Sequence, residues 1–371
     1  MTTPTTTSLP STTTSTATPY CTTAVPGKYG YVPPDACNSN YSYSPSFGAA
    51  ITFSVLFGFV TIAQITQAIS YRKGFCWVMI MACTWEFISF VTRAIGSHDQ
   101  QKLSYAFASQ ILFLLAPLWL NAYAYMTAGR MIYTFHPAKK VYGIKAISIG
   151  KYFVWLDIFS FLVQGTGGSM LSPGSSADSM KIGKNVYMTG VGIQELFIVL
   201  FTGLIVRFHI EYSRMLKSGT AQSPGNQRWK WLTYALYACL VLITVRIIFR
   251  LVEFSAGVEI SNPLPYHEIY ALILDAFPMV LAMTILTVIH PGMVLKGPES
   301  EFPSRKERRA EKKAKKAEKK AQKEEKKMAK KGLGQNTKYD RTQTSNDHLV
   351  TEDVELGNTA GHNNRYYPGG N

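Results

Sequence analysis

Seven apolar stretches, each long enough to cross a bilayer, constrain this chain more than any other feature. They run Phe47–Ser70, Gly74–Thr92, Leu103–Gly129, Tyr152–Met170, Val186–Val206, Trp231–Val252 and Ile269–Ile289. About 20 apolar residues in helical form cross a hydrocarbon core, and only helices or closed barrels satisfy their own backbone hydrogen bonds in lipid. The first and third stretches carry no charged residue, and the others one or two each. Buried helices of a large soluble domain would be shorter and amphipathic. The fold class predicted is therefore all-α: a polytopic membrane protein of seven transmembrane helices. The mean hydropathy of +0.02 hides this, because residues 1–46 and 293–371 are polar and flank an apolar domain over 47–292.

Orientation follows from Lys and Arg in the short linkers, because positive residues are retained on the cytoplasmic side. The linkers after helices 1, 3 and 5 hold twelve, from Arg72 and Lys73 through Arg130, Lys139, Lys140, Lys145 and Lys151 to Arg207, Arg214, Lys217, Arg228 and Lys230. The N-terminal segment and the other linkers hold four: Lys28, Lys102, Lys181 and Lys184. This predicts the N-terminus outside and the C-terminus in the cytoplasm. No apolar core of a signal peptide precedes helix 1, so that helix is expected to act as its own targeting signal.

The exterior segment carries Ser/Thr/Pro-rich low complexity suited to O-glycosylation. Asn40-Tyr41-Ser42 is a candidate N-glycosylation sequon, about seven residues before helix 1. Cys21 and Cys37 lie together on the oxidising side and are a candidate disulfide. Cys76, Cys83 and Cys239 fall in helices, where small apolar packing accounts for them.

The C-terminal tail contains Arg305–Lys331, with fifteen Lys/Arg against five Glu, which supplies most of the net charge of +15. It reads either as a solvated, partly helical rod or as a clamp on anionic inner-leaflet lipid, worth ~1 kcal/mol per basic residue at the surface. Nucleic acid is not an expected partner, because the run has no aromatic side chain for base stacking. Residues 332–371 are expected to be disordered.

Charged residues inside spanning helices are costly and face a bundle interior or wet cavity. Here they are Glu86, Asp157, Glu195, Arg246, Arg250, Glu253 and Asp275, with Arg93 and Glu268 at the outer ends of helices 2 and 7. Gln64, Gln67, Gln110, Asn121, Gln164 and Gln194 add amides. Arg246, Arg250 and Glu253 share one helical stripe, and Glu86 with Arg93 and Glu268 with Asp275 share one face each. Helices 2, 6 and 7 are thus expected to enclose a polar cavity open to the exterior. Six carboxylates face three arginines, so the surplus acids either hold protons or meet a bound cation; fixed inter-helix salt bridges are the alternative for the paired residues. Pro117 and Pro278 are candidate kinks, and Gly165, Gly167 and Gly168 allow close approach or a break.

Other chemistries lack their residues. There is no GxxxxGK[ST] loop for nucleotide, no GxSxG nucleophile and no His pair spaced for zinc. No metal or cofactor is expected, and the chain reads as a transporter or sensor, not an enzyme.

From helix 6 onward the residues become recognisable. Arg246-Ile-Ile-Phe-Arg250-Leu-Val-Glu253-Phe with Gly257, Glu268-Ile-Tyr270, Asp275-Ala-Phe-Pro278-Met279 and His290-Pro291-Gly292 form one signature. Tyr29-Gly-Tyr-Val-Pro-Pro34, Leu115-Ala116-Pro117, and Asp157 with Ser160-Phe161, Gln164 and Gly167-Gly168 accompany it. Over about Tyr29 to Gly292 the chain resembles the fungal lipid-translocating exporter family, seven-helix proteins named for resistance to aminocholesterol. The resemblance implies a fungal plasma-membrane protein linked to export or flipping of sphingoid bases and phospholipids and to resistance against toxic, sterol-like amphiphiles. Surplus carboxylates would suit an amine-bearing amphiphile, and the expected substrate-binding set is Glu86, Arg93, Asp157, Gln164, Glu195, Arg246, Arg250, Glu253, Glu268 and Asp275. ATP-independent lipid translocation is the leading reading; a seven-helix receptor or sensor of lipid asymmetry is the alternative. For the latter, Ala128-Gly-Arg130-Met and Ala276-Phe-Pro-Met stand where a G-protein-coupled receptor usually has its motifs.

Overall fold

A computed structural model describes residues 22–33, 36–41, 43–171, 176–220, 228–255, 264–295, 297, 301–303 and 305–347. It is mostly helical, and seven of its helices are long and apolar enough to cross a membrane. They are α1 (Phe47–Tyr71), α2 (Trp77–Ser97), α3 (Leu103–Phe135), α4 (Ala146–Met170), α5 (Ala177–Lys217), α6 (Arg228–Ser255) and a composite α7. α7 begins with Glu268–Ala271, widens into a π-helical turn at Leu272–Ala276 and continues as Phe277–Val288. The spans outrun the apolar stretches mainly where polar turns extend them, as in α3 to Phe135 and α5 to Lys217.

Each helix packs on its neighbour in sequence, and α7 returns to α1, so the seven close into a ring with α3 also touching α5 and α6. The face carrying residues 22–46 is here the N-face, and the opposite one the C-face. Inside the ring, aromatic side chains fill the core: Phe53, Phe57 and Phe90 stack, Phe113 meets Phe90 edge-on, and Tyr125 packs against Phe153 and Phe201. Outward-facing residues stay apolar, including Phe59, Trp155, Leu162 and Val241, each more than 60% exposed. In water such a surface would be a large liability; against acyl chains it is the favourable outer wall.

Local chemistry fixes the ends. Ser46 caps α1 by accepting from Ala49 N, and Ser176 caps α5 by accepting from Ser179 N, each satisfying one of the orphaned first-turn amides. Between α3 and α4 a hairpin pairs β1 (Lys140–Val141) with β2 (Ile144–Lys145) through Tyr142 and Gly143, both at positive φ, the geometry tight hairpins favour. α4 and α5 cross closely at Gly167, where an added Cβ would lie 2.3 Å from Tyr187 N. Gly165 and Gly168 meet nothing within 4 Å. Of the three glycines, only Gly167 is required by packing.

Residues 22–46, expected as a polar lead-in, are folded onto the N-face wherever they are described. Ala24 and Asn38 exchange two hydrogen bonds (3.1 and 3.0 Å), Gln100 N donates to Tyr29 O (3.0 Å) and Gln101 Nε2 donates to Gly30 O (2.8 Å). Val32 is buried beneath them. Cys37 is disulfide-bonded, while Cys21 lies outside the described residues, as do Ser42 and Gly257.

The chain divides into two compact units, Met1–Phe302 and Pro303–Asn371. In the first, α8 (Pro291–Val294) follows α7, and Phe302 packs on Tyr133 while Glu301 pairs with Lys73 at 3.5 Å. The second contains α9 (Arg305–Asp347), in which Glu311 and Lys315 pair at 2.5 Å. The helix runs beyond Lys331 into residues expected to lack structure, since propagating a nucleated helix fixes only one residue per bond gained.

Candidate functional site

The signature of α6 converges on one carboxylate. Arg246 Nε donates to Asp275 Oδ1, and Arg250 Nη2 pairs with Asp275 Oδ2. Arg250 Nη1 also donates to Glu253 Oε2 at 3.1 Å, and Arg246 Nη2 donates to Phe113 O at 3.2 Å. Asp275 is fully buried, and both guanidinium groups lie over the Phe113 ring, 5.4 and 5.5 Å from its centre. The i, i+4 spacing in α6 sets both arginines on one stripe. The π turn supplies the other half: Pro278 has no N–H to give the carbonyl four residues back, and Phe277 N bonds Leu272 O instead. Such widened turns recur at functional sites, and this one holds Asp275.

Beside the network lies a cavity of about 40 Å³, walled by Leu114, Pro117 and Leu118 of α3, Phe161 and Gln164 of α4, Tyr187, Val191 and Gln194 of α5, and Arg246, Ile247 and Arg250 of α6. Gln164 Nε2 donates to Gln194 Oε1 at 2.8 Å across it. Arg250 Nε is buried with no acceptor among the described residues. Helices 3 to 6 thus bound this cavity, whereas helices 2, 6 and 7 were expected to. Asp275 of α7 is consumed in neutralising the arginines from behind, so α7 holds the wall rather than lining it.

Arg93 and Glu268 do not join that network. They form a separate clamp at the N-face, where Glu268 Oε1 accepts from Arg93 Nε (3.1 Å) and Nη2 (2.9 Å) and Glu268 Oε2 accepts from Ser46 N (2.7 Å). Arg93 Nη2 also donates to the Tyr43 hydroxyl. The clamp fastens residues 43–46 to the ends of α2 and α7. Asn40 extends the same docking: its Nδ2 donates to Gln100 O (3.0 Å) and Gln101 O (3.1 Å), so the nitrogen that a glycan would occupy is engaged. Tyr41 beside it has its hydroxyl buried without a partner among the described residues, and burial raises that phenol above its ordinary pKa against the opposing pull of Arg93.

Three acids remain without a basic partner among the described residues. Glu86 is fully buried in α2, and neither carboxylate oxygen has a hydrogen-bond partner there; it lies within electrostatic reach of Arg246, Asp275 and Arg250. Asp157 in α4 accepts from Asn121 Nδ2 and Tyr125 OH, both at 2.9 Å. Glu195 in α5 accepts from Thr244 Oγ1 at 3.0 Å. None of the three lines the cavity. Of the residues expected to bind substrate, Gln164, Arg246 and Arg250 do line it, and Glu253 and Asp275 hold those arginines.

Residues 79–298 match the profile of the family described as RTA1 like protein. The chain belongs to the RTA1-like family. It is 44% identical over 300 residues to the "Probable lipid transporter atnI" of Emericella nidulans, covering 79% of this chain and 78% of that protein. It is 30% identical to "Protein RTA1" of Saccharomyces cerevisiae, over 68% of this chain and 84% of the relative. To the yeast "Sphingoid long-chain base transporter RSB1" it is 24% identical, over 72% and 78%. No solved structure matches.

In this RTA1-like chain, several side chains that build the site carry no signal in the sequence. Tyr43, Tyr125, Tyr187 and Thr244 are ordinary residues by type, and only long-range packing gives them partners. In the sequence, His290-Pro291-Gly292 is a signature with no evident role. The structure supplies one: His290 Nδ1 accepts from Gly292 N at 3.0 Å, its ring stacks on Tyr71, and its Nε2 lies 3.4 Å from Cys76 Sγ. With Nδ1 accepting, the neutral ring carries its proton on Nε2 and donates to the sulfur. That tautomer ties the end of α7 to the start of α2 and is the wrong one for a base that activates the thiol.

Proposed function

We propose that this multi-pass membrane protein moves lipids or amphiphiles across the plasma membrane without ATP, with its N-terminus outside and its C-terminus in the cytoplasm. Sphingoid bases, phospholipids and toxic sterol-like compounds are the substrate classes. The names of the relatives support lipid transport in general. The observation that carries the reading is the cavity between α3, α4, α5 and α6, where Arg250 presents an N–H without an acceptor among the described residues. A buried donor without a partner costs about 1–3 kcal/mol, and a headgroup oxygen entering from the bilayer would recover it. Glu86, buried one helix away and without a basic partner among the described residues, is the candidate acceptor for an amine or a proton. The Lys-rich tail is proposed to rest on anionic inner-leaflet lipid.

Reconstitution into liposomes with a fluorescent lipid, scored for scrambling with and without a pH gradient, tests this. The expected result is lipid exchange that is lost when Arg250 is replaced by Met while folding is kept; no exchange above protein-free vesicles would refute it. A sensor of lipid asymmetry is the second reading, favoured by the small volume of the cavity, about 40 Å³. Removing residues 300–371 separates the two: a transporter keeps its flux and a sensor loses its output.

A further inference from the structure

Asp157 is 1% exposed, at mid-depth in the bundle, and its two oxygens are treated unequally. Oδ2 takes both available donors, Asn121 Nδ2 and the Tyr125 hydroxyl. Oδ1 is buried without a partner among the described residues, and so is the other end of the same amide, Asn121 Oδ1. No Lys, Arg or His pairs with this carboxyl there; the nearby titratable groups around Tyr125 are Glu195 of α5 and Cys239 of α6. Two orphaned acceptors on partners already joined by one hydrogen bond lack a single donor.

We propose that a proton resides on Asp157 Oδ1 and closes an acid–amide ring with Asn121. The amide donates through Nδ2 to the acid carbonyl, Oδ2, which has a second lone pair for the Tyr125 hydroxyl. The acid hydroxyl donates in return to Asn121 Oδ1. One proton therefore satisfies both orphaned oxygens and removes the charge, where each unmade buried hydrogen bond would otherwise count against the fold. α3 and α4 are joined here by a shared proton, not by an ion pair. Any motion that parts them at this level must leave donor and acceptor unmatched, so the two helices move as one body. Asp157 is a positioning residue and not a ligand for a cationic headgroup.

Infrared difference spectroscopy on the purified full-length protein in lipid nanodiscs tests this directly. Wild type minus Asp157→Asn should show the carbonyl stretch of a protonated carboxylic acid, shifted by H/D exchange. Asn121→Leu should move the same band to higher frequency, because the acid hydroxyl loses its acceptor. Asp157→Asn should keep the wild-type unfolding temperature, since its own N–H donates where the hydroxyl did, whereas Asp157→Leu should lower it. A difference spectrum containing only the paired stretches of a carboxylate would overturn the proposal. So would an Asp157→Asn variant as unstable as Asp157→Leu.

Discussion

Asp275 is the anion that two buried guanidinium groups share. Removing one partner of a buried pair leaves an uncompensated charge and costs about 3–5 kcal/mol. Asp275→Asn is therefore expected to destabilise by roughly 3 kcal/mol on that basis, measured as a lowered unfolding temperature in detergent. Replacing Arg246 by Met and Asp275 by Leu together should cost less than Asp275→Asn alone, since the remaining Arg250 keeps Glu253. If the single neutral variant unfolds like wild type, the shared-anion geometry is wrong. Asn40 makes a second point at this scale. Its amide nitrogen holds the N-terminal segment to Gln100 and Gln101, so untreated wild type should run on a gel with Asn40→Gln and should not shift on treatment with an N-glycosidase. That Arg246 and Arg250 share one stripe was legible from spacing alone, with fixed pairing to an acid as the alternative reading there. Which acid was not, because Asp275, Glu268 and Glu86 look alike in sequence and only the helix ends and the π turn separate them.

Among the elements, the α4–α5 hairpin shows where pattern stops and packing begins. Gly165, Gly167 and Gly168 form one small-residue run in the sequence, and nothing there ranks them. In the structure Gly167 alone faces the α5 backbone, with Gly183 O and Tyr187 N within van der Waals contact of any added carbon. Gly167→Ala should therefore force the helices apart, at a cost of about 1–3 kcal/mol as for other overpacked sites. Gly165→Ala and Gly168→Ala should be neutral or stabilising by up to ~1 kcal/mol, the helix preference of Ala over Gly. Thermal melts of the three variants decide it, and equal effects would mean the run acts through flexibility. The spans themselves were readable because hydrophobic length is a local property. The cap formed by the described residues between 22 and 46 was not, since its hydrogen bonds reach a linker some 60 residues away.

For the whole molecule, two independent arguments bear on orientation. One is electrostatic: twelve Lys and Arg occupy the C-face linkers and four the N-face, and basic linkers resist translocation. The other is chemical. Cys37 on the N-face is disulfide-bonded. Disulfides persist in oxidising compartments, so this bond supports the proposed exterior side, the same side that the charge count favours. Intact cells treated with an impermeant protease should consequently lose N-face epitopes placed before residue 22 while keeping an epitope at the C-terminus. Permeabilised cells should lose both. An impermeant maleimide should fail to label the chain unless Cys37 is first reduced. Loss of the C-terminal epitope from sealed cells would reverse the topology, and with it the proposal that the Arg305–Lys331 run meets the anionic leaflet, because the opposite surface offers it no comparable charge.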